Sequence, residues 1–199
     1  MVRAILNGRK TQTRRIISPQ PELTEGSGFS WKGALFGAGS DDRETNRNFA
    51  HCRCPFGKVG DRLWVRETFR VHSLATDVAT LAYKASEQQS WTQQVARVPI
   101  ELCTKQVSPE AWTPSIHMPR WASRITLEIT DIRVERLNDM CENDARSEGC
   151  EGGHDSIPGY HYSATPHEHF HNVWTSIYGK DSWQSNPWVW VVEFKRVCQ

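Results

Sequence analysis

The chain has 199 residues, of which 38% are hydrophobic and 24% charged, and its formal net charge at pH 7 is +1. This composition is typical of one globular domain and excludes collagens, coiled coils and wholly disordered chains. It contains no apolar run of about 18 residues, and no apolar stretch follows the basic N-terminus, so neither a membrane span nor a secretory signal is expected. We therefore expect a cytoplasmic protein whose six cysteines are reduced.

The first twenty residues concentrate positive charge. They contain five basic residues and no acidic residue, a local charge of +5. The basic residues are Arg3, Arg9, Lys10, Arg14 and Arg15. The pattern predicts a short helix over 2–9 that ends at Gly8, then a turn and a short strand over 14–17. Such charge favours phosphate or another anion as a ligand, and a solvated helix end is an equally supported alternative.

Residues 18–58 are rich in proline, glycine, serine and asparagine and show little periodicity, which predicts a long loop or lid. The segment contains the closely spaced thiols Cys52 and Cys54, next to His51. A C-x-C spacing does not match the C-x2-C of a zinc knuckle. Two loop thiols are therefore favoured over a metal site.

The middle of the chain predicts β structure separated by an irregular segment. Alternating side chains after a Gly-Asp turn predict a strand over 62–69, and 80–84 is expected to be its partner. Four prolines favour irregular structure over 86–120. The strongest β pattern covers 122–137, with a slip in alternation near its middle that predicts a bulge.

The last third combines two predicted helices with a closing strand. The helices are expected over 139–148 and 167–178, with a glycine- and proline-rich loop over 151–164 between them. A strand over 188–197 follows a proline. The predicted fold class is therefore α+β: a small, mostly antiparallel β-barrel flanked by short helices, in a single domain.

Four motifs, taken in order, resemble the ASCH domain family. Residues 8–15, GRKTQTRR, resemble its G-x-K-x-x-T-x-R signature, and 60–67, GDRLWVRE, resemble its G-D-x-L-x-V strand. Residues 124–137 resemble its central β-hairpin leading into a short helix, and 188–197 resemble its closing strand. The resemblance implies one PUA-like β-barrel domain over 1–199. Its insertions, typical of the phage and prophage branch, are expected at about 18–58, 86–120 and 151–164.

The resemblance also implies action on RNA or its components. The family includes an amidohydrolase that removes the acetyl group of N4-acetylcytidine, and its working groups map onto Lys10, Thr13 and Glu148. A threonine hydroxyl attacks only if a base takes its proton, and a lysine serves when burial or adjacent positive charge favours its neutral form. Glu148 would orient the lysine or protonate the leaving amine. Arg15, with Arg66 as second choice, would stabilise the oxyanion.

Further residues of the motifs are expected to bind the substrate. They are Arg9, Arg14, Arg15, Trp64, Arg66 and Glu67. For Glu67 a buried carboxylate paired with an arginine across the barrel is equally supported. The expected partner is RNA, single-stranded nucleic acid or a modified nucleoside, with no cofactor, no metal and no membrane. The phage-like branch implies the cytoplasm of a bacterial host.

Two other functions remain open. A metal-independent ribonuclease would need an acid–base pair, for which three histidines or the histidine-rich helix are candidates. The three are His51, His72 and His117. A non-catalytic RNA- or DNA-binding module of phage origin would need an aromatic cage. Its candidates are Trp31, Trp64 and Trp121. His167 and His171 lie one helical turn apart, as metal ligands can, but solvated histidines are favoured.

Overall fold

The computed structural model describes residues 1–24, 28–37 and 42–197. The helices are α1 (Val2–Leu6), α2 (Asp42–Arg53), α3 (Trp91–Gln94), α4 (Glu142–Ser147), α5 (Pro166–Tyr178) and α6 (Asp181–Gln184). The strands are β1 (Gln12–Ile16), β2 (Glu22–Thr24), β3 (Gly28–Trp31), β4 (Ala34–Phe36), β5 (Arg62–Trp64), β6 (Phe69–Leu74), β7 (Val78–Tyr83), β8 (Val95–Pro99), β9 (Thr126–Arg136) and β10 (Trp188–Val197). The predicted α+β class is confirmed at this level. Within these ranges, no helix has the length and apolar character that crossing a membrane requires.

The residues group by their contacts into two compact units, each assembled from separate stretches of the chain. Unit A comprises 1–6, 62–127 and 196–199, and unit B comprises 7–61 and 128–195. Unit A contains ten lysines and arginines against five acidic residues, a net charge of +5. Unit B contains 14 against 18, a net charge of −4.

The main sheet of unit B pairs an early strand of the chain, β1, with a late one, β10. β10 lies between β1 and β9, and β1 pairs antiparallel with β10 from Gln12 opposite Glu193 to Ile16 opposite Val189. β9 is one strand rather than the hairpin that the resemblance implies. Buried side chains of β10, α4, α5 and the turns on either side of α4 form one core of the unit. They are Leu137, Met140, Ala145, Cys150, Phe170, Trp174, Val189 and Val191.

Helix α5 forms where it is predicted, and its first residues explain its start. The Thr165 hydroxyl accepts a hydrogen bond from the Glu168 amide, and the Glu168 carboxylate accepts one from the Thr165 amide. This reciprocal capping box fixes the N-terminus of the helix. Phe170 and Trp174, one turn apart, are buried, whereas Ile177, predicted on the same face, is 59% exposed.

The prediction of a loop or lid over 18–58 is wrong for the described part of that segment. β2, β3 and β4 form an antiparallel sheet, and α2 follows them. Lys32 and Gly33 have φ of 51° and 78°, which is the geometry of a tight hairpin turn between β3 and β4. Phe49 of α2 stacks on Phe29 with ring centroids 5.1 Å apart. Isolated aromatic residues in a glycine- and serine-rich background give too weak a period to predict such short elements.

Unit A is built on a second antiparallel sheet, in which β7 lies between β6 and β8. One face of this sheet packs on a core of apolar side chains. They are Phe69, Val71, Leu81, Tyr83, Met118 and Ala122. The single strand predicted over 62–69 is wrong, since β5 ends at Trp64 before β6 begins. The irregular structure predicted over 86–120 is wrong for β8, because Pro99 ends that strand rather than interrupting it.

Candidate functional site

The sequence motif that follows α1 meets the end of α4. Lys10 forms an isolated antiparallel bridge with Glu148, and the Thr11 amide donates to the Ser147 carbonyl at 2.8 Å. Gly8, with φ of +72°, supplies the left-handed turn that leads into this bridge. The backbone therefore places two of the three predicted catalytic residues side by side.

The side chains of Lys10 and Glu148 form a buried ion pair. They are 4% and 3% exposed, and Lys10 Nζ lies 2.5 Å from Glu148 Oε2. Nζ also donates to the Glu148 carbonyl oxygen at 2.9 Å. Burial of two charges is costly unless they are paired and hydrogen-bonded, so each side chain depends on the other to remain in this position.

Arg14 extends the pair into a network. Its side chain is fully buried, with Nη1 3.5 Å from Glu148 Oε1 and Nη2 in ion pairs with Glu135 and Asp144. Arg133 bridges the same two carboxylates at 3.0 Å each and also pairs with a carboxylate of β10. The network members are Lys10, Arg14, Arg133, Glu135, Asp144, Glu148 and Glu193. Three cations therefore face four carboxylates, and the charges of Lys10 and Arg14 are neutralised.

Asp144 shows how the network holds a carboxylate in its ionised form. Burial alone would raise the pKa of this carboxyl, but hydrogen bonds from the Cys141 amide and thiol, a hydrogen bond from Gln12 and the charge of Arg14 together lower it to about 2. The bonds with Cys141 also cap α4, which is why this helix begins at Glu142, later than predicted. The same carboxylate thus serves the helix and the ion network.

Cys150 lies next to the ion pair in surroundings that disfavour its thiolate form. Burial raises the pKa of its thiol to about 11, with Lys10 opposing this effect and Glu148 adding to it. A thiol reacts as the thiolate. Cys150 therefore remains a protonated member of the apolar core.

Thr13 and Arg15 lie on the other side of β1 from the network. Gln12 and Arg14 of β1 are buried, whereas Thr13 is half-buried and Arg15 is exposed, as the alternation of a strand requires. Arg15 Nη1 donates to Thr13 Oγ1 at 2.9 Å and to the Arg14 carbonyl at 2.8 Å. The predicted catalytic residues thus form two groups: Lys10 with Glu148, and Thr13 with an arginine on its hydroxyl.

The other basic residues of the first twenty are also engaged. Arg9 pairs with Glu151 at 2.5 Å on the surface, with side chains 40% and 57% exposed. Arg3 belongs to unit A and donates to the Ala85 carbonyl. Among the described residues, Arg3 and Arg15 are the two of the five that have no carboxylate partner. The local charge of +5 therefore gives little support for an anionic ligand at this motif.

The remaining predicted binding residues lie in unit A. Glu67 is 2% exposed, and Arg124 donates to both of its carboxylate oxygens at 2.9 Å. Arg124 also donates to Ser86 and stacks over Tyr83 with its guanidinium 4.0 Å from the ring centroid. Of the two explanations for Glu67, the geometry fits the buried carboxylate satisfied by an arginine.

Two arginine side chains lie against the ring of Trp64. The guanidinium of Arg66 lies 4.9 Å from the centroid of its ring, and that of Arg120 lies 5.9 Å away. The Arg66 side chain is exposed and donates to the Ile116 carbonyl. These contacts hold both arginines against an aromatic face.

The histidines and tryptophans of the alternative functions are dispersed. His51 belongs to α2 in unit B, whereas His72 and His117 belong to unit A. His167 and His171 both pack edge-on against Trp183, at 5.3 and 4.7 Å between ring centroids. In the described ranges, no group of three potential ligands could hold a metal ion.

The cage candidates serve as packing residues. Trp31 packs edge-on against Phe49 and Trp190 in unit B, and Trp121 packs against Phe69 in unit A. The free thiols of the described chain include Cys52, which belongs to α2 rather than to a loop. Cys198 lies outside the described residues.

Sequence reasoning missed four members of the ion network. They are Arg133, Glu135, Asp144 and Glu193. Arg133 and Glu135 are two residues apart on β9, which places both on one face of that strand, and Glu193 lies opposite Gln12 in the register of β1 and β10. The alternation of β9 predicts that Arg133 and Glu135 share a face. It does not predict that β10, which carries Glu193, lies beside β9.

No family model matches the sequence, and neither the curated proteins nor the solved structures contain a significant match to the chain.

Proposed function

We propose that this protein is an ASCH-type, PUA-like hydrolase that cleaves the amide of an N4-acylated cytidine-like base. The observation that carries the proposal is the buried pair of Lys10 and Glu148, with Nζ and Oε2 2.5 Å apart. The residues of this pair are two of the three working groups that the ASCH resemblance implies. The antiparallel strands of the structure are compatible with a small barrel of that kind.

A buried lysine–glutamate pair suits proton transfer. In a dry environment the ionic and neutral forms of such a pair lie closer in free energy than in water. Transfer of one proton from Nζ to Oε2 yields an amine that accepts a proton and a carboxylic acid that donates one. One pair thus supplies both a general base and a general acid.

Thr13 Oγ1 is the proposed nucleophile, and Arg15 Nη1 already donates a hydrogen bond to this oxygen. In the proposed reaction Oγ1 attacks the amide carbonyl carbon and its proton passes to the Lys10 amine. Because Thr13 lies on the other side of β1 from the buried pair, this transfer requires β1 to rearrange when the substrate binds. The C–N bond then breaks, and Glu148 protonates the leaving exocyclic amine. Water hydrolyses the acyl-threonine ester and releases the carboxylic acid.

The test is a chromatographic assay with N4-acetylcytidine, its deoxy analogue and a short single-stranded RNA. The wild type should release cytidine, whereas Lys10→Met, Glu148→Gln and Thr13→Ala should lose at least about 100-fold in rate, the usual contribution of a general acid–base or nucleophilic group. Arg146→Ala, an exposed cation on α4, is the matched control and should retain activity.

Two outcomes overturn the proposal. If the wild type leaves every nucleoside intact, amide hydrolysis of this substrate class is wrong, and shortened RNA in the same assay would establish the ribonuclease instead. If Lys10→Met remains folded and fully active, the buried pair is structural. The double variant Lys10→Met/Glu148→Leu removes both charges, so it separates loss of chemistry from loss of folding.

A further inference from the structure

Unit A contains cations that the fold does not neutralise. Its net charge is +5, and its described ion pair joins Arg124 to Glu67. Among the described residues, neither Arg70 nor Arg97 has a carboxylate within ion-pair distance. Both belong to the antiparallel sheet of unit A, Arg70 on β6 and Arg97 on β8.

The register places these cations on one face of the sheet. Arg70 lies opposite Ala82, and Thr80 lies opposite both Ser73 and Arg97. Phe69, Val71, Leu81 and Tyr83 alternate with these residues and point into the core. The β-bulge between Val71 and Ser73 inserts His72, which joins the same outer face. The face opposite the core therefore carries Arg70, His72, Thr80 and Arg97.

Two tryptophans cover this face. The segment next to β6 pairs with it through Phe69 and Thr113, and the neighbouring Trp112 holds the Arg70 guanidinium 4.8 Å from its ring centroid. Trp91, at the start of α3, lies with its ring 4.7 Å from the His72 ring. Trp91 is 48% exposed. Each tryptophan ring thus contacts one basic side chain: Trp112 contacts Arg70, and Trp91 contacts His72.

The polar atoms of this face are incompletely paired. Arg70 Nε and His72 Nδ1 are buried and have no hydrogen-bond partner within the described part of the chain. Arg124 of the same unit, in contrast, donates four hydrogen bonds, two to Glu67, one to Ser86 and one to the Gln93 carbonyl oxygen. A buried polar atom without a partner is costly, which marks these two atoms as places for a ligand or an ordered water.

We propose that this face, called here the Trp91–Trp112 face, binds single-stranded nucleic acid. Bases stack on accessible aromatic rings whatever their sequence, and neighbouring arginines contact the phosphates. An acidic peptide would use the cations but would leave the two indole surfaces without a partner. The inference is independent of the proposed hydrolase, because it rests on residues of unit A alone.

The test is fluorescence anisotropy of the full chain with labelled 12-nucleotide RNA and DNA of the same sequence, at several salt concentrations. Trp91→Ala should raise Kd about 5- to 100-fold, the loss expected for one stacked base. Arg97→Ala should lower the salt slope by about 0.7, the value for one phosphate contact on a single strand. Arg146→Ala in unit B removes an exposed cation elsewhere and should change neither quantity.

Binding of either strand that depends on Trp91 and Arg97 supports the proposal, and a preference for RNA would indicate contacts to the 2′-hydroxyl. Absence of binding at low salt overturns it, as does binding that both variants retain in full. Equal affinity for poly-glutamate also overturns it, because charge alone would then explain the result. Circular dichroism melting verifies that each variant is folded, and Trp91 and Arg97 are both exposed side chains.

Discussion

Lys10 and Arg14 of unit B and Arg70 of unit A are compensated in different ways. In unit B, Lys10 and Arg14 are buried against Glu148, Glu135 and Asp144, so the charge that is conspicuous in the sequence is compensated inside the fold. In unit A, Arg70 lies against an indole ring and has no carboxylate partner among the described residues. Charge density along a sequence therefore does not locate an anion-binding surface. The partners supplied by the fold decide which cations face a ligand.

The largest effect is expected from removing one half of the buried pair in unit B. Lys10→Met leaves Glu148 buried with Arg14 3.5 Å away, so the free energy of unfolding should fall by about 3–5 kcal/mol. Lys10→Met/Glu148→Leu should regain most of this loss. Urea denaturation monitored by tryptophan fluorescence measures both variants. A single variant within about 1 kcal/mol of the wild type would mean that the pair is hydrated.

An intermediate effect is expected from pH. The pKa of Asp144 is lowered from 3.8 to about 2 in the folded protein, so its stabilising contribution is present above pH 3.8 and is lost as the pH falls toward 2. We expect about 1–2 kcal/mol, because the side chain is partly exposed. Asp144→Asn should flatten the acid limb of the stability curve. Asp77→Asn, at an exposed position of unit A, should leave it unchanged.

The smallest effect on stability is expected at Arg9, the sequence neighbour of Lys10, where the largest effect is expected. Arg9 precedes Lys10 but pairs with Glu151 on the surface, where both side chains are 40% or more exposed. Exposed pairs contribute little, so Arg9→Ala should change the free energy of unfolding by less than about 1 kcal/mol. A larger fall in the free energy of unfolding, measured by the same urea titration, would show that the surface pair of Arg9 and Glu151 also stabilises unit B.

The sequence predicted the elements whose patterns are long and regular. β10 and α5 were expected close to where they lie, and the motif resemblance paired Lys10 with Glu148 although they are 138 residues apart. The sheet and helix within 18–58 were missed, because strands of three or four residues carry almost no periodicity. The ion network was missed because its members belong to β1, β9, α4 and β10. A sequence does not state which strands will be neighbours.

The register of β1 also bears on how the chain is made. β1 has β10 as its neighbour in the sheet, with Gln12 opposite Glu193. Ribosomal synthesis runs from the N-terminus, so β1 has no partner strand until β10, Trp188–Val197, has been produced. Pairing of such distant segments carries a loop-closure cost and slows folding. The cations of the motif therefore remain hydrated at least until Glu135, Asp144 and Glu148 have been synthesised, and the main sheet of unit B closes only after β10 has followed them.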